Sequence, residues 1–139
     1  MASQDLHSKV FMKYALNPTV ISADGTILGE VLDTVDFESV ELVAMMGIAN
    51  GGLFNVNLQE SDDDSIYTVV ATNDLIGETI QMNSANSIEI RRVGYKGKKR
   101  YLRVELVSSG SPTATTVVAN YVLSNPRSAA TEENTAANS

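Results

Sequence analysis

The side chains that most often carry out nucleophilic and metal chemistry are scarce in this sequence. Its 139 residues include one histidine, His7, and no cysteine. A Cys/His zinc site and a cysteine nucleophile are therefore excluded. A Ser-His-Asp relay would have to use His7, which we expect to lie in a mobile terminus. We predict that the protein is not an enzyme and needs no cofactor.

The acidic side chains raise two further possibilities, which are cation binding and acid–base catalysis. Asp62, Asp63 and Asp64 carry ligands suited to calcium, but the alternating acids, glycine and distal glutamate of an EF-hand loop are missing. Glu132 and Glu133 lie in a segment of small and polar residues, so nothing fixes the separation that glycoside hydrolysis requires. We expect the three aspartates to form a solvated turn, and we predict no metal site.

The charges are segregated along the chain. The net charge is −7, yet no lysine or arginine occurs between Tyr14 and Ile90. Residues 91–103, here called the basic segment, then hold seven of the ten basic residues and no acid: Arg91, Arg92, Lys96, Lys98, Lys99, Arg100 and Arg103. Two interpretations stay open. The chain has a surface of two signs that can dock onto copies of itself, or the basic segment is a hairpin neutralised by acidic strands of its own sheet, and both can hold together.

Nucleic acid and membranes are not predicted partners. Seven cations would neutralise several phosphates, but the remaining chain is acidic, and only Tyr95 and Tyr101 provide nearby aromatic rings. The spacing of a phosphate-binding loop is absent around Gly97. No stretch approaches the roughly 20 apolar residues that span a bilayer, and the first residues lack the order of a secretory signal.

Alternating apolar and polar residues predict β-strands along most of the chain. Phe54, Val56 and Leu58 alternate with polar residues, and similar patterns cover 101–106 and 116–123. Shorter candidates are 26–31, 39–46, 67–71, 79–82 and 87–93. Turn residues lie between them, with hairpin tips expected at Lys96-Gly97 and at 108–112.

About eight short strands predict an all-β fold, an antiparallel β-sandwich or jelly-roll-like barrel. We expect residues 1–17 to form an N-terminal arm or edge strand and residues 18–125 to form the core. The small, polar residues 126–139 are typical of a C-terminal tail that is ordered only against a neighbouring molecule.

Four runs of residues resemble a known family. They are Leu58–Asp63, Asp74–Gly77, Val93–Val104 and Leu123–Arg127. These runs resemble small capsid decoration, or cement, proteins of tailed bacteriophages. The resemblance implies a jelly-roll or related β-fold that lies outside the capsid as a dimer or trimer.

The resulting hypothesis is a structural virion protein on the outer surface of the capsid. It would bind across capsomers and stabilise the expanded shell, with the major capsid protein and itself as partners. A homodimer is favoured over a homotrimer because self-complementary charge suits a two-fold interface. The expected interface comprises the seven cations of the basic segment together with Pro126 and Arg127.

Two other functions remain open. One is a head–tail joining or tail component of a virion, which would form rings. The other is a carbohydrate-binding β-sandwich module, although a chain without tryptophan is poorly equipped to stack on sugar rings.

Overall fold

The computed structural model describes residues 10–47, 51–83 and 89–126. These residues form eleven strands and one short 3₁₀ helix, Thr72–Asp74. The strands are β1 (Phe11–Ile21), β2 (Gly25–Leu28), β3 (Leu32–Asp33), β4 (Phe37–Met46), β5 (Leu53–Ser61), β6 (Thr68–Val69), β7 (Leu75–Ile76), β8 (Ile80–Asn83), β9 (Glu89–Tyr95), β10 (Tyr101–Ser109) and β11 (Thr115–Pro126). Among the described residues, no helix has the length and hydrophobicity needed to cross a bilayer.

The strands form two antiparallel sheets. The first sheet has the order β1-β11-β4-β9-β7. The second has the order β2-β10-β5-β6, with β3 also paired to β10 and β8 to β5. The strands of four residues or more number eight in the described chain, and their order is that of a jelly roll. The predicted all-β sandwich is therefore confirmed.

The predicted alternation identifies the residues that fill the space between the sheets. On β5, Phe54, Val56 and Leu58 are buried, and Leu102, Val104 and Leu106 are buried on β10. The facing residues of β11 are buried in the same way: Val117, Ala119, Tyr121 and Leu123. Because every second residue points into the sandwich, two amphipathic sheets are sufficient to enclose one core.

Two predicted hairpins are corrected by the topology. The turn at Lys96-Gly97 joins β9 to β10, and the turn at 108–112 joins β10 to β11, but in both cases the two strands belong to different sheets. Turn residues indicate where the chain reverses, not which strand it pairs with next. Gly51 and Gly52 adopt positive φ and also lie on a connection between the two sheets, from β4 to β5.

The N-terminal part of the described chain belongs to the first sheet. β1 is an edge strand paired with β11, and it continues past residue 17 to Ile21. Its ladder is irregular between Tyr14 and Thr19, a stretch that includes Pro18. An edge strand tolerates such a proline because the missing N–H faces away from the ladder or lies at a bulge. Residues 1–9 and 127–139 lie outside the described residues.

Candidate interaction site

The basic segment crosses from one sheet to the other. Arg91 and Arg92 lie on β9 of the first sheet, and Arg103 lies on β10 of the second. Residues 96–100, here called the connection, link the two strands at one end of the sandwich. The seven cations therefore do not form one hairpin, and their positions divide them into three groups.

Most of these cations have partners inside the fold. Four form ion pairs: Arg91 with Glu89 at 3.2 Å, Arg92 with Glu41 at 2.7 Å, Lys99 with Asp62 at 2.6 Å and Arg100 with Asp33 at 2.7 Å. Arg103 donates to Oε1 of Gln59 at 2.7 Å, and its guanidinium lies 4.0 Å from the centre of the Tyr67 ring. Internal neutralisation therefore accounts for most of the charge segregation, although exposed pairs of this kind add little stability.

Lys96 and Lys98 differ from the other five. Both side chains are exposed on the connection. Neither forms an ion pair with any residue in the described part of the chain. They are therefore the cations of the basic segment that are available to an external acidic group.

Tyr95, which in the sequence is recognisable only as an aromatic residue beside the basic segment, positions the connection. Its hydroxyl donates to Oε1 of Glu60 at 2.7 Å and accepts the backbone N–H of Lys99 at 3.0 Å. A Cβ at Gly97 would lie 2.5 Å from that hydroxyl oxygen, so only glycine allows the chain to pass so closely over the ring. The pKa of Tyr95 lies above its ordinary value, mainly because the hydroxyl is buried and to a lesser extent because it is bonded to Glu60.

The far end of the connection is held by β3 and the residue after it. The guanidinium of Arg100 forms two hydrogen bonds with the carboxylate of Asp33, at 2.8 and 2.7 Å. The backbone N–H and the hydroxyl of Thr34 donate to the carbonyl of Arg100 at 2.9 and 2.8 Å. The bond from Arg100 holds the pKa of Asp33 below its ordinary value.

A cleft of about 160 Å³ lies between the connection and the start of β4. Val35, Phe37 and Val40 provide apolar lining, and the charged residues Glu38 and Lys98 line the same cleft. Pro126, one of the predicted interface residues, pairs with Phe37 at the end of β11 and so lies at the same end of the sandwich. Arg127, the other, lies outside the described residues.

The aspartate run forms a turn within the β5–β6 hairpin. The carboxylate of Asp63 accepts the backbone N–H groups of Ser65 and Ile66 at 3.0 and 3.2 Å and the hydroxyl of Ser61 at 2.9 Å. These bonds lower the pKa of Asp63, and the bond from the Ile66 N–H has the largest effect. Within the described ranges, no group of three or more His, Cys, Asp or Glu residues is placed to hold a metal ion. His7, Glu132 and Glu133 fall outside those ranges.

This chain is similar in fold, but not significantly in sequence, to proteins of known structure. No protein-family model matches the sequence, and no curated protein is significantly similar to it. The crystal structure of the PBSX exported protein XepA is similar over 89% of this chain, with a TM-score of 0.60 and 13% identity. The structure of infectious bursal disease virus, Gx strain, is similar over 87%, with a TM-score of 0.54 and 11% identity. This chain spans 40% and 34% of the lengths of those two chains.

Proposed function

We propose that this protein is a structural component of a virion, and specifically a decoration or cement protein on the outer surface of a tailed-phage head. Its partner would be the major capsid protein. The observation that carries the proposal is the jelly-roll sandwich, which is similar over most of this chain to a PBSX exported protein and to a virus structure. The proposed role is binding without catalysis.

The proposed mechanism is stabilisation by selective binding. A protein that contacts two capsomers at once binds only the expanded arrangement of the shell, so it shifts the equilibrium toward that arrangement. Each contact need bury only about 800 Å² per partner. Two linked contacts give an avidity far above the affinity of either one.

The connection supports a contact with an acidic surface. Tyr95 and Thr34 hold its backbone at Lys99 and Arg100, so the exposed ammonium groups of Lys96 and Lys98 are carried on a positioned loop. A preorganised loop loses little conformational entropy on binding. We expect these two lysines, together with the adjacent cleft, to bind a carboxylate-bearing segment of the capsid protein.

The test is co-sedimentation of the protein with expanded phage heads from which the native decoration protein has been removed. The Lys96→Ser/Lys98→Ser double variant should bind at least about tenfold more weakly, and its binding should depend less on salt concentration. The Lys96→Arg/Lys98→Arg variant is the control, because it keeps both charges and should bind like the wild type. Equal binding by all three proteins would remove the connection from the interface.

The same preparation separates the proposed function from its alternatives. A protein that binds no heads and forms rings of six or twelve subunits would instead be a joining component. Binding to a glycan array without binding to heads would indicate a carbohydrate-binding module. Either result would contradict the decoration role.

A further inference from the structure

The outer faces of the two sheets differ in chemistry. On the second sheet, polar side chains pair with one another across the strands. Gln81 donates to Asn55 at 2.9 Å, and Asn57 donates to Glu105 at 3.3 Å. These pairs satisfy the central polar groups of the second sheet, whose exposed large hydrophobic residues, Leu28 and Val69, lie on its edge strands β2 and β6.

The outer face of the first sheet, here called the apolar face, carries mostly hydrophobic side chains. Exposed members include Met12 at 56%, Tyr14 at 61% and Ile90 at 67%. Half-buried members on the two central strands extend the surface between them: Val43, Met45, Val118 and Val122. The ladder registers align Val118 with Met45 and Met45 with Ile90, so the hydrophobic side chains are contiguous across three strands.

The apolar face includes one ion pair, which leaves it without net charge. Arg92, whose side chain is 77% exposed, donates to Glu41 at 2.7 Å across the β4–β9 ladder. The glutamate carboxylate also covers Gly94, where an added Cβ would lie 2.9 Å from its oxygen. The whole chain has a net charge of −7, so two copies repel each other over most orientations. The apolar face is a surface on which two copies can approach without that repulsion.

We propose that the apolar face is a two-fold interface with a second copy of this chain. A two-fold axis that passes between Arg92 and Glu41 places each arginine over the glutamate of the other copy, so the interface is self-complementary. β-sheets pack face to face at about 10 Å, and the hydrophobic side chains supply the contact. The dimer would present two connections, and so deepens the proposed function by supplying the two linked contacts.

The size of the face sets the expected affinity. Four strand spacings of about 4.8 Å and six residues of about 3.3 Å give a surface of roughly 20 Å by 20 Å. Two such faces would bury roughly 800 Å² in total, which is less than the roughly 1,200 Å² of stable specific interfaces, so we expect a weak dimer with a dissociation constant of micromolar or higher. Self-association is therefore expected to depend on protein concentration.

Sedimentation equilibrium of the full chain, without phage heads, tests the interface. The mass should rise from 14.9 kDa at low micromolar concentration toward twice that value as the concentration increases. Ile90→Glu should weaken dimerisation at least about tenfold, because each copy would bury a carboxylate. Ile66→Glu is the matched control, because Ile66 is 73% exposed in the loop between β5 and β6, away from the apolar face. Circular dichroism and urea unfolding establish that both variants are folded.

A charge exchange tests the symmetry. Arg92→Glu and Glu41→Arg should each prevent self-association, whereas an equal mixture of the two variants should form a mixed dimer. The proposal is overturned if the wild type is monomeric at every concentration, or if Ile66→Glu weakens dimerisation as much as Ile90→Glu does. It is also overturned if Ile90→Glu leaves dimerisation unaffected, or if the mixture of the two charge variants associates no more strongly than either variant alone. Because no head is present, these results are independent of whether the protein decorates a capsid.

Discussion

The hydroxyl of Tyr95 gives the sharpest test of how the connection is held. Tyr95→Phe removes one oxygen while keeping the ring that packs against Gly97. The lost bond to the Glu60 carboxylate is of the charged kind, which contributes about 1.5–3 kcal/mol. The Lys99 N–H also loses its acceptor, although water at the surface compensates part of that loss. We expect the free energy of unfolding to fall by about 2 kcal/mol, or roughly 6–8 °C in Tm.

The assay is urea unfolding at one fixed protein concentration, because self-association would otherwise change the apparent stability. Hydrogen exchange at the Lys99 amide gives a local reading, and its protection should fall in Tyr95→Phe. The control is Tyr14→Phe, which removes a hydroxyl from an exposed side chain of β1 and should change stability by less than about 0.5 kcal/mol. Because Tyr14 lies on the apolar face, all proteins are unfolded at a concentration well below the dissociation constant of the proposed dimer. If the two variants unfold at the same urea concentration with equal Lys99 protection, the hydroxyl does not position the connection.

Three other substitutions test the fold and its pH dependence. Gly29→Ala should cost about 1–3 kcal/mol in urea unfolding, because its Cβ would lie 2.1 Å from a backbone oxygen of β1; Gly25→Ala, with no atom within 4 Å, should be near neutral. At neutral pH, the Asp33→Asn variant should unfold at a lower urea concentration than the wild type. Because Arg100 lowers the pKa of Asp33, the ionised carboxylate stabilises the fold at pH values above its ordinary pKa of 3.8, and this stabilisation is lost as the pH falls through the lower pKa of the folded state. The difference in stability between the wild type and Asp33→Asn should therefore disappear in acid. Tyr121→Phe should be neutral or stabilising, because the buried hydroxyl has no hydrogen-bond partner in the described chain. Burial raises the pKa of Tyr121 above 10.0, so the stability of the wild type should decline above about pH 10. The Tyr121→Phe variant should lose less stability over the same pH range, and an equal loss in both proteins would contradict this account.

The hydrophobic pattern was sufficient to predict the sandwich and its core residues. Strict alternation, as at Phe54, Val56 and Leu58, has one physical meaning, which is a strand with one face buried. β4 and β11 follow the same rule less clearly, since hydrophobic residues such as Val43 and Val118 also occupy the outward positions. That excess of outward hydrophobic residues is the signal in the sequence for the apolar face, and the alternation alone does not reveal it.

The partners of the basic segment depend on the tertiary structure. The sequence determined that residues 91–103 concentrate positive charge and that catalytic side chains are scarce. It did not determine that β9 and β10 belong to different sheets, because turn residues are the same in a hairpin and in a connection between sheets. The ion pairs of Lys99 with Asp62 and of Arg100 with Asp33 join residues 37 and 67 positions apart. Strand pairing within the second sheet brings these residues together, because Tyr101 of β10 is aligned with both Ser61 of β5 and Asp33 of β3. That non-local pairing decides which lysines remain available to a partner.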